Sequence, residues 1–190
     1  GGASKPAGIE GAGEIVALGA GVTGLQVGQR VMGRCPAAFS EYAVMDAREA
    51  MTVPAGLPME VAAAVPLTFL VVHDMLVLQG RLKAGEWLLV AGVSSGVGVA
   101  SLQAAKALGA RVIGTSGSPD KLARLQALGL DVAIATRAPD FAAQVMEATG
   151  GYGVDALIET LGPNAPVSTV LDSFSALRRG GKAVNIGGVA

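Results

Sequence analysis

The chain holds one cysteine and one histidine in 190 residues, and only 15% of its residues are charged. A lone cysteine, Cys35, excludes an intrachain disulfide framework and suits a reducing interior, so the expected compartment is the cytoplasm. One thiol also cannot supply the cysteine cluster of a structural zinc site. The net charge of −1 and the lack of any basic run argue against nucleic acid as a partner. No internal repeat or low-complexity segment is present. The most apolar stretch, Val61–Leu78, nearly reaches membrane-span length, but Pro66, His73 and Asp74 interrupt it. A buried pair of helices is expected there, not a membrane anchor. What the chain has instead is apolar residues (51%) and 28 glycines, the composition of an α/β protein with many tight turns. Its length suits one core, or one domain with part of another.

Residues 87–108, WLLVAGVSSGVGVASLQAAKAL, read as strand, glycine turn and helix in one run. Trp87–Ala91 is almost wholly apolar, as a strand buried on both faces of a parallel sheet must be. Gly92, Gly96 and Gly98 let the chain reverse, and good helix formers follow from Val99. Such a turn brings the backbone at Ser95, Gly96, Val97 and Gly98, with a helix N-terminus, close to a pyrophosphate. The glycine spacing is not the familiar G-x-G-x-x-G, and by itself it marks only a tight βα turn. Its context carries the dinucleotide reading.

That context is a series of strand–helix units. A strand at Ala110–Thr115 closes a unit of roughly 30 residues. Helices are expected at 120–128, 140–149 and 165–177, and strands at 131–136, 154–160 and 182–186. Five strands alternating with four helices predict a doubly wound parallel sheet. The first part differs: short strands at 13–18, 30–33, 40–44 and 51–53 predict a small β-rich domain. Pro58 is placed to start a helix at 59–64, and Pro66 breaks it.

The motifs Gly8-Ile-Glu-Gly-Ala-Gly-Glu-Ile-Val, Gly21-Val-Thr-Gly-Leu-Gln-Val-Gly-Gln-Arg-Val and Phe39-Ser-Glu-Tyr-Ala-Val occur in this order. Ala62-Ala-Ala-Val-Pro-Leu, Leu82-Lys-Ala-Gly-Glu, Ser95-Gly-Val-Gly and Ala105-Lys-Ala-Leu-Gly-Ala-Arg-Val-Ile-Gly-Thr follow. Gly150-Gly-Tyr-Gly-Val-Asp and Leu177-Arg-Arg-Gly-Gly-Lys complete the set. Together they resemble the medium-chain dehydrogenase/reductase superfamily, in its zinc-free, quinone oxidoreductase-like branch. The resemblance implies a Rossmann sheet over 67–190, preceded by part of a GroES-like catalytic β domain over 1–66. It further implies an internal portion of an oxidoreductase, lacking opening β-strands and a sixth cofactor-domain strand. A stretch of that kind is expected to leave strand edges unpaired, to bind cofactor weakly and to be inactive alone. The complete protein is expected to be a homodimer.

Zinc-dependent relatives carry Gly-His-Glu where this chain has Gly8-Ile9-Glu10, and isoleucine cannot ligate metal. No metal is expected; Cys35 reads as a packed side chain and His73 as a helix residue. The second strand ends in Thr115-Ser-Gly-Ser-Pro-Asp-Lys121, without the early acid that bonds an NAD ribose. Asp120 reads as a helix-start residue. Ser116, Ser118 and Lys121 suit a 2′-phosphate, so NADPH is expected over NADH. Arg137 resembles a second adenosine-side cation. Around the nicotinamide the resemblance implies contacts from Leu161 and Gly162, and from Gly187, Gly188 and Val189. Val71 stands where many relatives carry a threonine near the ring.

The implied reaction is hydride transfer to a quinone or an α,β-unsaturated carbonyl, a small-molecule substrate. No catalytic acid is assigned, and Tyr42 reads as a structural strand residue. The alternatives are an enoyl reductase module of a larger synthase and a cofactor-binding protein without catalysis. The glycine turn also looks like that of short-chain dehydrogenases, but Tyr152 is followed four residues on by Ala156, so their Tyr-x-x-x-Lys pair is missing.

Overall fold

The computed structural model describes residues 7–135, 141–162 and 165–186. These fall into two compact units, one reaching Leu70 and one starting at Val71.

In the first unit, β1 (Glu10–Glu14), β2 (Arg30–Arg34) and β3 (Met51–Thr52) form an antiparallel sheet in that order. Glu10 stands opposite Arg34 and Glu14 opposite Arg30 in the ladder, while the Arg34 guanidinium pairs with Glu49. Helix α1 (Met59–Ala62) starts directly after Pro58, and Ala62 packs with Met32 and Val53 in the unit's core. Two expectations are corrected here. The first strand runs over 10–14, not 13–18: beyond Glu14 pairing continues at Ile15, whose N–H donates to the Gln29 carbonyl (3.0 Å) and whose carbonyl accepts the Gly28 N–H (2.8 Å), before the chain turns. The strand expected at 40–44 does not form. The Ser40 hydroxyl lies 2.6 Å from the Ala37 carbonyl and 2.8 Å from that of Tyr42, curling the segment locally. No described strand lies beside it, and Phe39, Tyr42 and Val44 stay exposed.

Helix α2 (Pro66–His73) begins at the proline that ends the previous helical stretch, and continues as a π-helical segment over Asp74–Gln79. No helix among the described residues is long and apolar enough to cross a membrane.

The second unit is a parallel sheet of β4 (Trp87–Ala91), β5 (Arg111–Ser116), β6 (Val132–Ala135), β7 (Val154–Glu159) and β8 (Leu177–Asn185). Its order is β6-β5-β4-β7-β8. Helices α3 (Gly96–Ala107), α4 (Pro119–Gln126), α5 (Phe141–Ala148) and α6 (Val167–Ser175) alternate with these strands. Leu88, Leu89 and Val90 of the central strand have no exposed surface, which explains the unbroken apolar run. Leu89 and Ala91 share a core with Ile113, Ile134, Phe141 and Leu157. The chain winds from β4 outward through β5 and β6, then restarts at β7 on the other side. The ends of β4 and β7 therefore flank the topological switch point, where open α/β sheets take their ligands.

The last strand is longer than the sequence pattern predicts, 177–185 in place of 182–186. Val154 pairs with Leu177 but Ala156 with Lys182, so the intervening residues bulge out of register. Gly180, at φ +72°, supplies the left-handed turn this requires.

Candidate functional site

The turn after β4 is held by its own backbone. Val93 N–H donates to the Thr115 carbonyl at 2.9 Å, and Ser95 N–H to that of Gly92 at 3.0 Å. Gly92 has φ +84°, and a Cβ there would lie 2.7 Å from Thr160 Oγ1. Ser95 caps α3: its hydroxyl accepts the Gly98 N–H at 3.0 Å. Gly98 is buried and Gly96 exposed, with nothing within 4 Å of a Cβ at 96.

This divides the four predicted cradle residues by role. The amides of Ser95 and Gly98 are used inside the turn, whereas among the described residues those of Gly96 and Val97 have no hydrogen-bond acceptor. The first turn of a twelve-residue helix thus presents open N–H donors at the carboxyl end of the central strand. Donors of that kind, with the helix dipole behind them, fit a pyrophosphate.

On the β5 side, Ser116 is 5% exposed; its hydroxyl lies 2.8 Å from Ser94 Oγ and accepts the Ser118 N–H at 3.2 Å. It ties the strand end to the glycine turn and is not presented outward. Ser118 is the N-cap of α4, with no side-chain cap bond, and Asp120 lies in the first helical turn. Lys121 is exposed and makes no ion pair among the described residues. Ser118 and Lys121 are therefore the available groups at this tip. Arg137 lies outside the described residues, as do Gly187, Gly188 and Val189.

On the β7 side stands a group that the sequence reading missed. Glu159 is 3% exposed and its Oε1 accepts the Leu161 N–H at 2.6 Å. Thr160 Oγ1 donates to the Ala91 carbonyl at 2.8 Å and lies 3.3 Å from Ser95 Oγ. Leu161 is half-buried and Gly162 exposed beside them. The only hint in the sequence is a carboxylate and a hydroxyl closing an otherwise apolar strand.

Zinc does not fit the described residues. Ile9 has no donor atom, and Glu10 Oε2 accepts the Leu67 N–H at 2.7 Å, holding the start of α2. Cys35 is buried, which pushes its thiol pKa up and disfavours the thiolate that would bind metal. Among the described residues no three His, Cys, Asp or Glu side chains converge. His73 is exposed at the end of α2, and Tyr42 is an exposed residue of an irregular segment, not of a strand.

A doubly wound parallel sheet with a capped glycine turn at its switch point defines a Rossmann-like α/β protein. Family comparison agrees. Residues 96–190 match the zinc-binding dehydrogenase family, and residues 3–55 the alcohol dehydrogenase GroES-like domain. The chain belongs to the medium-chain dehydrogenase/reductase superfamily. It is 38% identical over 182 residues to a pikromycin polyketide synthase component of Streptomyces venezuelae, covering 95% of this chain and 5% of that protein. It superposes on the CurK enoyl reductase with TM-score 0.88 and 32% identity, covering 98% of this chain and 55% of that one. A quinone oxidoreductase of Pseudomonas syringae pv. Tomato DC3000 gives TM-score 0.85 and 34% identity, covering 96% and 56%. Mycobacterial Rv1454c complexed with NADPH gives 0.84 and 33%, covering 95% and 56%. The chain thus spans about half the length of the solved relatives and a small part of the synthase.

Proposed function

We propose that this chain is the nucleotide-binding part of a metal-independent, NADPH-dependent reductase that transfers hydride to an α,β-unsaturated carbonyl compound. The observation that carries the reading is the open first turn of α3, with Gly96 exposed, at the carboxyl end of β4. The Gly96 and Val97 amides would hold the pyrophosphate. Ser118 and Lys121, with Arg137, would hold the adenosine 2′-phosphate. Leu161 and Gly162, with Gly187, Gly188 and Val189, would line the nicotinamide half. Bound NADPH supplies the hydride, and the protein's part is to orient the cofactor and keep water from it. An enone that accepts hydride develops charge on its carbonyl oxygen, which then needs hydrogen-bond donors and a proton. Val71 offers no hydroxyl to position the nicotinamide ring.

The likeness to polyketide synthases and to the CurK enoyl reductase favours an enoyl thioester as acceptor. The likeness to a quinone oxidoreductase supports the second reading, a free-standing quinone reductase. Steady-state NADPH oxidation by the full-length protein with crotonyl-N-acetylcysteamine and with 1,4-benzoquinone separates the two. The expected result is higher kcat/KM on the thioester. Turnover of the quinone alone selects the second reading, and binding of NADPH without turnover of either selects a non-catalytic role.

A further inference from the structure

Thr160 and Ser95 lie 65 positions apart in sequence, yet their hydroxyl oxygens are 3.3 Å apart across the switch point. Either hydroxyl can donate in this contact, and the shorter neighbouring bonds favour one direction. The Gly98 amide can only donate, and it donates to Ser95 Oγ at 3.0 Å. The Ala91 carbonyl can only accept, and it accepts the Thr160 hydroxyl proton at 2.8 Å. With the Thr160 proton on the Ala91 carbonyl, its shortest acceptor, the Ser95 proton is the one free to bridge to Thr160 Oγ1. The result is a chain of donors, Gly98 N–H to Ser95 to Thr160 to the Ala91 carbonyl. Gly92 leaves the room it needs, since a Cβ there would fall 2.7 Å from Thr160 Oγ1.

The chain starts in the first turn of α3, where the pyrophosphate would sit, and passes through the residue that follows β7. The next residue is fixed as well: Leu161 N–H is held at 2.6 Å by Glu159, a carboxylate with 3% exposure. In the sheet order β6-β5-β4-β7-β8, one half of a dinucleotide lies over β4–β6 and the other over β7–β8. At the carboxyl ends of the strands, Thr160 is a side chain that connects the two halves.

On the dinucleotide reading above, the geometry points to Thr160 as a positioning residue. It locks the loop Thr160–Gly162, on the nicotinamide side, to the pyrophosphate turn, so that seating the adenosine half orders the other half. Its hydroxyl acts through Ser95 and the loop, not by touching a reacting atom. Glu159 sets the same loop from below.

The test is the binding of two probes, NADPH and its adenosine half 2′,5′-ADP, to wild type, Thr160→Val and Thr160→Ser. Losing one hydrogen bond from the loop predicts NADPH weakened about tenfold in Thr160→Val, with 2′,5′-ADP changed less than about twofold. Thr160→Ser, which keeps the hydroxyl, should match wild type with both. Equal loss for both probes, or no loss for either, overturns the inference while leaving the dinucleotide reading intact. Wild type that binds neither probe overturns that reading and the inference with it. A thermal melt reports whether Thr160→Val folds. If it does not, amide exchange on wild type decides: 2′,5′-ADP alone should slow exchange at Thr160–Gly162, and unchanged exchange there refutes the coupling.

Discussion

A Cβ at Gly98 would stand 2.5 Å from the carbonyl oxygen of Gly92, the other end of the same turn. Gly98 is therefore needed for packing, whereas Gly96 has open space around it. The two glycines should fail differently. Gly98→Ala forces backbone apart and should cost about 2–3 kcal/mol, lowering the melting temperature by roughly 5–10 °C. Gly96→Asp should fold normally but lose at least ~100-fold in NADPH affinity, because bulk and negative charge meet the pyrophosphate. Calorimetry and fluorescence titration of both variants check this; a Gly96→Asp protein with wild-type affinity would remove the phosphate site from this turn.

Lys121 and Ser116 should also separate. A charge-assisted phosphate contact is worth roughly 1.5–3 kcal/mol, so Lys121→Ala should weaken NADPH ~10- to 100-fold and leave NADH nearly unchanged. Ser116 is buried against Ser94, so Ser116→Ala should act through the turn and weaken both cofactors alike. Affinities for the two cofactors measured side by side read out the difference. Equal loss of both in Lys121→Ala would mean that the ammonium does not reach the 2′ position.

How much of this was legible beforehand follows from what each residue's environment owes to local sequence. Trp87–Ala91 was readable because a strand buried on both faces has to be continuously apolar. The glycine turn was readable because left-handed backbone and close approach need glycine. Ser116 was only half legible: a hydroxyl at a strand tip reads as a ligand, and only the fold shows its partner Ser94. Thr160 was invisible for the same reason, its partners being the Ala91 carbonyl and Ser95 far back in the chain. Residues 40–44 had alternation but no strand beside them, and pairing is not written in one segment alone.

Metal analysis is a direct check on the branch of the superfamily. Purified protein should carry no stoichiometric zinc, and prolonged chelation should leave NADPH binding unchanged, because Ile9 cannot ligate and the Cys35 thiol is held protonated by burial. The same burial predicts slow alkylation of Cys35 by iodoacetamide in the native state and fast alkylation in denaturant. Zinc that survives dialysis at one per chain would move the protein among the metal-dependent relatives.

Stability of the sheet should depend on Asp155, at the end of β7 remote from the ligand. Its Oδ2 accepts the Trp87 N–H at 2.8 Å and its Oδ1 the Arg178 guanidinium at 2.7 Å. One carboxylate thus joins the first residue of β4 to the bulged start of β8, while Arg178 lies 5.8 Å from the Tyr152 ring. The carboxylate side chain is 15% exposed, so solvent replaces these contacts poorly. Asp155→Ala should therefore cost about 1–3 kcal/mol, chiefly by stranding the Trp87 amide. Asp155→Asn keeps one acceptor and should cost less, leaving a partial defect. Because the site lies at the opposite ends of the strands, cofactor affinity of the folded fraction should stay within about twofold. Urea unfolding followed by Trp87 fluorescence measures the first effect and NADPH titration the second. A large loss of affinity at unchanged stability would show that this end of the sheet is coupled to the site.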